Sequence, residues 1–527
     1  MERLAGRVML LWGWRRAATA CAAGAFLALA QAPFDFPAAG FVSFTILVWL
    51  LDGATGDAAR GRLGGWRAFF GTGWWFGFGY FVAGLWWLGN ALLVEAENFA
   101  WALPFAVFGL PALLALFHGF AAALARLFWT DGLGRIAALA AAFGIIEWLR
   151  EFVLTGFPWN AIGLAAMPTP VLMQSAVLVG VTGMSAVAVF VFSAPALIAD
   201  PRPRRAGLAI AAILVALHAG FGFWRTGEAQ PVPPERNLKV RLVQPSIDQS
   251  SKWDTEERRR IFDVHLDLTR GPGEADERAD LVVWPETSVP YLLTERPDAL
   301  QAIADALDDE QTLLVGAVRA EQGAGQTRYY NSLTMVSGDG EILDAADKAH
   351  LVPFGEYLPL EPLLERLGLR RIVATPVSFS ASPAPRQLTL PDETRILPLI
   401  CYEVIFPAEV DAAARGADLI VNVTNDAWYG NTPGPYQHFR QAQIRAVETG
   451  LPLVRAANNG ISGLVDPYGR IVDALALNGV GTLDGEIAPG AVARPLPLAP
   501  GLAGLGVIAA FAALALALQV RQWLGRQ

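Results

Sequence analysis

Three residues of this chain have the types that covalent acyl chemistry needs, and each sits where an apolar run ends or a dense motif begins. Cys401 is one of two cysteines among 527 residues, and it closes the run Ile396–Ile400 in Leu399-Ile400-Cys401-Tyr402-Glu403. The other cysteine, Cys21, lies in an Ala-rich apolar stretch, so Cys401 reads as a lone thiol beside a carboxylate, a candidate nucleophile. Glu286 follows Leu281-Val282-Val283-Trp284-Pro285, where Pro285 stops a strand and leaves the carboxylate at its C-terminal end. Lys348 opens Lys348-Ala349-His350-Leu351-Val352-Pro353-Phe354-Gly355-Glu356. It is one of only three lysines, with Lys239 and Lys252, against 37 arginines, so a lysine inside a motif suggests a need for a compact ammonium. Singly, each residue has a plainer reading: a core thiol, a loop carboxylate, a surface lysine. Together they suffice for acyl transfer. The carboxylate takes the thiol proton, the thiolate attacks a carbonyl, and the ammonium stabilises the oxyanion.

The elements that must position these groups fall into two kinds. Apolar residues make up 54% of the chain and charged residues only 17%, where a soluble protein carries about a quarter. The mean hydropathy is +0.37. The apolar excess lies in seven segments before the polar middle: Ala17–Ala32, Ala38–Leu51, Ala68–Leu88, Trp101–Leu127, Ile136–Trp148, Val171–Ile198 and Ala206–Phe223. An eighth runs over Gly501–Trp523. A helix needs about 20 residues to cross the hydrocarbon core, so eight transmembrane helices are expected, with the first, second and fifth short by that measure. Arg3, Arg7, Arg15 and Arg16 precede the first segment, Arg60, Arg62 and Arg67 follow the second, and Arg202, Arg204 and Arg205 follow the sixth. The positive-inside rule then puts both termini in the cytoplasm and the polar middle outside. Cys21 is not expected to be a lipid-modified leader cysteine, because Arg15 and Arg16 leave four residues before it, too few for an apolar leader core. Glu147, Arg150 and Glu151 lie near apolar surroundings. Charges at membrane depth point to function, but the preferred reading is a helix end meeting headgroups and water.

The expected domains are residues 1–225 with helices one to seven, a linker over 226–236, a catalytic domain over 237–490 and the eighth helix over 498–523. In the third of these, strand patterns at Lys239–Val243, Leu281–Trp284, Thr312–Val318, Ser332–Val336, Ile396–Ile400, Leu419–Val423, Pro452–Ala456 and Gly463–Asp466 alternate with helical ones. The helices are expected at Asp254–Arg270, Pro297–Leu307, Pro362–Leu367, Pro407–Ala414 and Tyr436–Glu448. Such alternation predicts an α/β domain with helices covering the sheet. No internal repeat or glycine-rich phosphate loop is visible. A net charge of -9 gives no reason to propose nucleic acid as a partner. The five histidines and two cysteines have no metal-ligand spacing, so no metal and no cofactor are expected.

The Glu286, Lys348 and Cys401 trio resembles the triad of the nitrilase superfamily. Trp284-Pro285-Glu286-Thr287, Cys401-Tyr402-Glu403, Asn425-Asp426-Ala427-Trp428-Tyr429-Gly430, Asn458-Asn459-Gly460-Ile461-Ser462 and Thr155-Gly156-Phe157-Pro158-Trp159 carry the likeness further. With seven helices before the polar domain and one after it, the whole chain resembles the membrane-integrated bacterial apolipoprotein N-acyltransferases. The resemblance implies an α-β-β-α sandwich outside the membrane, with Cys401 as nucleophile, Glu286 as general base and Lys348 as oxyanion stabiliser. It implies Glu356 as a further essential carboxylate, Tyr402 and Glu403 as supports of the nucleophile, and Trp253 and Trp428 as loop residues that bind substrate. His350 is read as structural. The implied reaction moves an acyl chain from the sn-1 position of a phospholipid, through a Cys401 thioester, to the amine of a diacylglyceryl cysteine on an apolipoprotein. Phospholipid, apolipoprotein and bilayer are the partners, the chain is expected to work as a monomer in the bacterial inner membrane, and a mobile lid is expected to shield the thioester from water. A membrane-anchored amidase acting on a small soluble substrate is the alternative.

Overall fold

The computed structural model describes residues 2–55, 65–200, 204–227, 237–249, 256–271, 278–289, 291–323, 327–359, 366 and 378–525. Trp253, the linker at 228–236 and the helix expected over Pro362–Leu367, apart from Arg366, lie outside the described residues. The chain forms two compact units. One comprises Met1–Gly89, Ala102–Ala229 and Arg494–Gln527, and the other Asn90–Trp101 and Gln230–Ala493. The second unit thus takes in a stretch that lies between two apolar segments in sequence.

The first unit is helical. Each of the eight apolar segments falls on helix, from Gly13–Leu27 and Ala38–Asp52 to Arg204–Gly227 and Pro500–Leu524. Among the described residues, five helical stretches are long and apolar enough to cross a membrane: Trp66–Leu93, Ala96–Leu127, Ala176–Ala199, Arg205–Gly227 and Pro500–Leu524. The sixth segment is interrupted at Gly180, whose φ of 64° breaks the helical ladder. One expectation is corrected here. Glu147, Arg150 and Glu151 do not form a solvated helix end; all three are buried. The chain after the helix Leu133–Leu149 turns through Leu154, Thr155 and Asn160 at positive φ, which leaves carbonyls that no helix satisfies. Arg150 donates to the Phe157 and Trp159 carbonyls, and Glu147 accepts from Arg150 and from the Ile162 amide. Buried backbone groups must find partners, and here charged side chains supply them.

Among the described residues, the second unit holds twelve strands in two six-stranded sheets. They are β1 (Leu238–Gln244), β2 (Leu281–Val283), β3 (Thr312–Gln322), β4 (Thr327–Ser337), β5 (Ile342–Asp347), β6 (Leu388–Thr389), β7 (Arg395–Ile400), β8 (Leu419–Thr424), β9 (Leu453–Ala457), β10 (Ser462–Val465), β11 (Ile471–Leu475) and β12 (Gly481–Ile487). The first sheet runs β12-β1-β2-β3-β4-β5 and the second β11-β10-β9-β8-β7-β6. In each, three neighbouring strands are parallel: β1, β2 and β3 in one, β7, β8 and β9 in the other. An antiparallel strand flanks the parallel set on one side and two follow on the other, so both sheets share one plan although the sequence shows no repeat.

Strand alternation builds the layers. Leu281 and Val283 join Ile396, Leu419, Val421 and Val454 in a core between the sheets. Val282 and Trp284 face the other way, packing with Phe262 and Leu266 of the helix Arg258–Arg270 and Ile303 of Pro297–Ala304. The helices Pro407–Ala413 and Pro433–Thr449 make the crossovers between β7, β8 and β9. This is the α-β-β-α sandwich expected.

Candidate active site

Cys401 sits directly after β7, at the first position of the short helical turn Cys401–Ile405. Its φ is 52°. A left-handed residue other than glycine costs roughly 1–2 kcal/mol, so this turn persists only because its surroundings hold it. Glu403 is one such hold. Its carboxylate accepts from the Ile400 amide at 2.7 Å, and from the Ala349 and His350 amides at 2.7 and 3.2 Å, tying the Cys401 turn to the lysine loop. Burial pushes Glu403 up to about 7 against the pull of these amide donors.

Glu286 stands at the end of β2, and the next residue, Thr287, also has positive φ, at 48°. Gly316 on β3 makes room for this turn: a Cβ there would stand 2.2 Å from the Pro285 carbonyl oxygen and 2.7 Å from the Glu286 Cα. Lys348 follows β5, and its amide donates to the Asn331 carbonyl at 2.8 Å. Its ammonium, 1% exposed, lies 3.4 Å from Glu286 Oε1 and 3.0 Å from the Glu356 carboxylate. Asn331 Nδ2 bridges the same two carboxylates at 2.8 Å each. The remaining oxygens are taken by backbone amides, Asn425 onto Glu286 at 3.0 Å and Val352 onto Glu356 at 2.8 Å.

The electrostatics follow from this packing. Burial disfavours a charged lysine, but the Glu356 and Glu286 carboxylates outweigh it and hold Lys348 above its ordinary range. Burial pushes the Cys401 thiol up to about 12; the Glu286 carboxylate adds to the rise and the Lys348 ammonium opposes it. The resting pair is therefore a neutral thiol beside a permanent cation. A neutral thiol reacts as a nucleophile only with a base beside it, and Glu286 is the carboxylate whose charge this thiol feels most strongly.

The sequence-derived set assembles in large part. Glu286 and Lys348 act electrostatically on Cys401, Glu356 pairs with Lys348, and Glu403 holds the Cys401 turn. Tyr402 is buried with its ring against Phe406 and His350, a support of the turn and not a member of the charged cluster. His350 is held by Glu409 at 2.9 Å and stacks on Phe406, as a structural residue would. Trp428 lies on the turn Asp426–Tyr429, partly exposed, and among the described residues no hydrogen bond or ring contact links it to the triad.

The carbon-nitrogen hydrolase family profile matches residues 239–494. The profile of the apolipoprotein N-acyltransferase N-terminal domain matches residues 23–194. An apolipoprotein N-acyltransferase of Brucella suis is 57% identical over 488 residues, 92% of each chain. One of Allorhizobium ampelinum is 58% identical over 484 residues, 91% of each chain. The chain belongs to the apolipoprotein N-acyltransferase family. An amidase from Nesterenkonia sp. is far more distant, at 21% identity and a TM-score of 0.35, covering 49% of this chain and 94% of its own.

In this member of the N-acyltransferase family, three polar residues near the triad escape a reading by motif and strand end. Asn331 sits inside β4, where a buried amide between Tyr330 and Ser332 was the available signal. Arg455 interrupts the otherwise apolar β9, a buried cation in Leu453-Val454-Arg455-Ala456-Ala457. His438, on the helix Pro433–Thr449, carries no signal in its own neighbourhood of Tyr436-Gln437-His438-Phe439.

Proposed function

We propose that this protein transfers an acyl chain from a membrane phospholipid to the amino group of an apolipoprotein's diacylglyceryl cysteine, with Cys401 as nucleophile. Glu286 accepts the Sγ proton as Sγ attacks the sn-1 ester carbonyl, and Lys348 steadies the oxyanion that forms. Collapse breaks the ester C–O bond, and Glu286 returns the proton to the departing lysophospholipid. The acceptor amine then attacks the thioester, Glu286 takes its proton, and the Cys401 thiolate leaves and is reprotonated. The two steps exchange an ester for an amide with no net oxidation or reduction. Glu356 keeps Lys348 charged and in place, Glu403 and Tyr402 hold the Cys401 turn, and Trp253 and Trp428 bind substrate.

The observation that carries this reading is the buried cluster itself. An ammonium held 3.0–3.4 Å from two carboxylates beside a strained, lone thiol has no structural economy that a hydrophobic core would not better serve. The relatives are named apolipoprotein N-acyltransferases, and the helical N-terminal region is the part that matches that family's own domain. The amidase alternative has no use for that region.

The reading extends to placement. Eight membrane crossings put the termini in the cytoplasm of a bacterial inner membrane and the catalytic domain, residues 237–490, on the periplasmic side. The arginine-rich segment ends support this orientation. One chain suffices, since every triad member comes from it.

The test is intact-mass analysis of the purified protein after incubation with phospholipid. A fatty-acyl adduct on Cys401 that disappears on adding a diacylglyceryl peptide is expected. Cys401→Ala should form no adduct and lose transfer by about three orders of magnitude or more. Transfer that survives in Cys401→Ala overturns the assignment.

A further inference from the structure

Beneath the nucleophile lies a second polar cluster that the proposed chemistry does not use. His438, Asp426 and Arg455 come from the helix Pro433–Thr449, the turn after β8, and β9, and all are buried. His438 Nε2 lies 3.1 Å from the Cys401 carbonyl oxygen. On the other side of the ring, Nδ1 lies 2.8 Å from Asp426 Oδ1 and 3.1 Å from Arg455 Nη2. Arg455 Nη2 also donates to Asp426 Oδ2 at 2.9 Å, and Thr424 Oγ1 donates to Asp426 Oδ1 at 3.0 Å. Asp426 is held as a carboxylate at about 2, because Arg455 and His438 outweigh its burial. Its close packing needs a glycine at 460, where a Cβ would stand 2.2 Å from Asp426 Oδ2.

We propose that His438 is a positioning residue for Cys401: its Nε2–H grips the nucleophile's carbonyl and so keeps the left-handed turn that aims Sγ at Glu286 and Lys348. A carbonyl oxygen only accepts, so Nε2 must carry the hydrogen. With the hydrogen on Nε2, Nδ1 accepts from Arg455 Nη2, and that donor, itself anchored on Asp426, fixes the ring so that Nε2–H points at Cys401. The device acts through the backbone of Cys401. It explains why a strained residue at the nucleophile position is stable without a glycine. The inference rests on the reading of Cys401 as nucleophile.

Two isosteric amides separate the two edges of the ring. Glutamine places its amide nitrogen where Nε2 stands, and asparagine places its amide where Nδ1 stands. In the full-length protein, His438→Gln is expected to form the Cys401 acyl adduct within a fewfold of the parent rate. His438→Asn is expected to lose at least about tenfold, the loss of one oriented hydrogen bond at the nucleophile. Alkylation of Cys401 by iodoacetamide, followed by peptide mass against pH, needs no lipid. It therefore judges His438 even if the parent forms no acyl adduct, a result that would sink the nucleophile reading instead. The His438→Gln profile should overlay the parent's. The His438→Asn profile should move toward that of an ordinary thiol, as Sγ swings away from the Glu286 charge. A merely space-filling histidine would make the two amides equivalent. His438→Asn matching or exceeding His438→Gln in both assays overturns the proposal.

Discussion

Both units bury a cluster of opposite charges, and the two clusters use them differently. In the helical unit, Arg150 spends its guanidinium on two backbone carbonyls and Glu147, and Glu147 caps the Ile162 amide. Tyr80 and Gln31 add to the same framework, with Tyr80 donating to the Asn160 carbonyl. These charges replace a helix's missing hydrogen bonds along Phe157–Ile162. In the catalytic unit, Lys348 faces Glu286 and Glu356, and the Cys401 thiol feels its charge. An arginine with a planar fork suits the first task and a compact ammonium the second. A buried ion pair is thus no functional signature by itself; what its members face decides.

The comparison breaks most visibly at Lys348. Lys348→Met leaves Glu286 and Glu356 buried together without their cation. Acyl-adduct formation should fall by at least about a thousandfold, since one lost oxyanion donor alone costs 10²–10³. Stability should fall by about 3–5 kcal/mol, the usual cost of breaking a buried pair. Lys348→Arg should not restore the adduct. Intact mass and thermal unfolding read the two effects separately, and a Lys348→Met protein that acylates normally would place the cluster in the same structural class as Arg150.

Arg150→Ala is the converse. Removing the fork strands the Phe157 and Trp159 carbonyls and the Glu147 carboxylate, and a loss of about 3–5 kcal/mol is expected in the detergent-solubilised protein. The adduct rate per folded molecule should stay within about threefold. A drop in adduct rate with an unchanged melting temperature would instead move the helical cluster into the chemistry.

How much of this was legible in sequence follows from where each element lies. The eight strands read from sequence are the eight inner strands, β1–β4 and β7–β10. The four that escaped, β5, β6, β11 and β12, are the four sheet edges. Inner strands are buried on both faces and read as continuous apolar runs, as β8 does in Leu419–Thr424. Edges are half-exposed and carry what edges carry, such as Asp344 and Asp347 in β5 and Gly481, Asp484 and Gly485 in β12, so no run or clean alternation marks them. Glu286, Lys348 and Cys401 stood out in the sequence because each ends a run or opens a motif. The groups that hold these three did not, because they work across the fold: Asn331 is 45 residues from Glu286, and His438 is 37 from Cys401. The charges Glu147 and Arg150 were visible, but their burial was not, since it depends on the path that the chain takes through Leu154, Thr155 and Asn160.

The finest division within the catalytic cluster is between the charge that raises the thiol and the charge that lowers it. Burial and then the Glu286 carboxylate lift Cys401 to about 12, from an ordinary 9.0. Between those values the folded protein keeps a proton that the unfolded chain releases, so this thiol's contribution makes stability fall as the pH rises through that window. Glu286→Gln removes the carboxylate's share while leaving Lys348 in place. The window narrows, and iodoacetamide should alkylate Cys401 faster at pH 9, by roughly tenfold for each unit the thiol descends. Acyl transfer should nevertheless collapse in the same variant, because the base proposed for the Sγ proton is gone. Faster alkylation with slower transfer is the signature of a carboxylate that suppresses the resting thiolate and serves as base. If alkylation instead slows, Glu286 would be acting only by placing Lys348, and the catalytic cluster would then resemble the helical one: charges holding other charges in position.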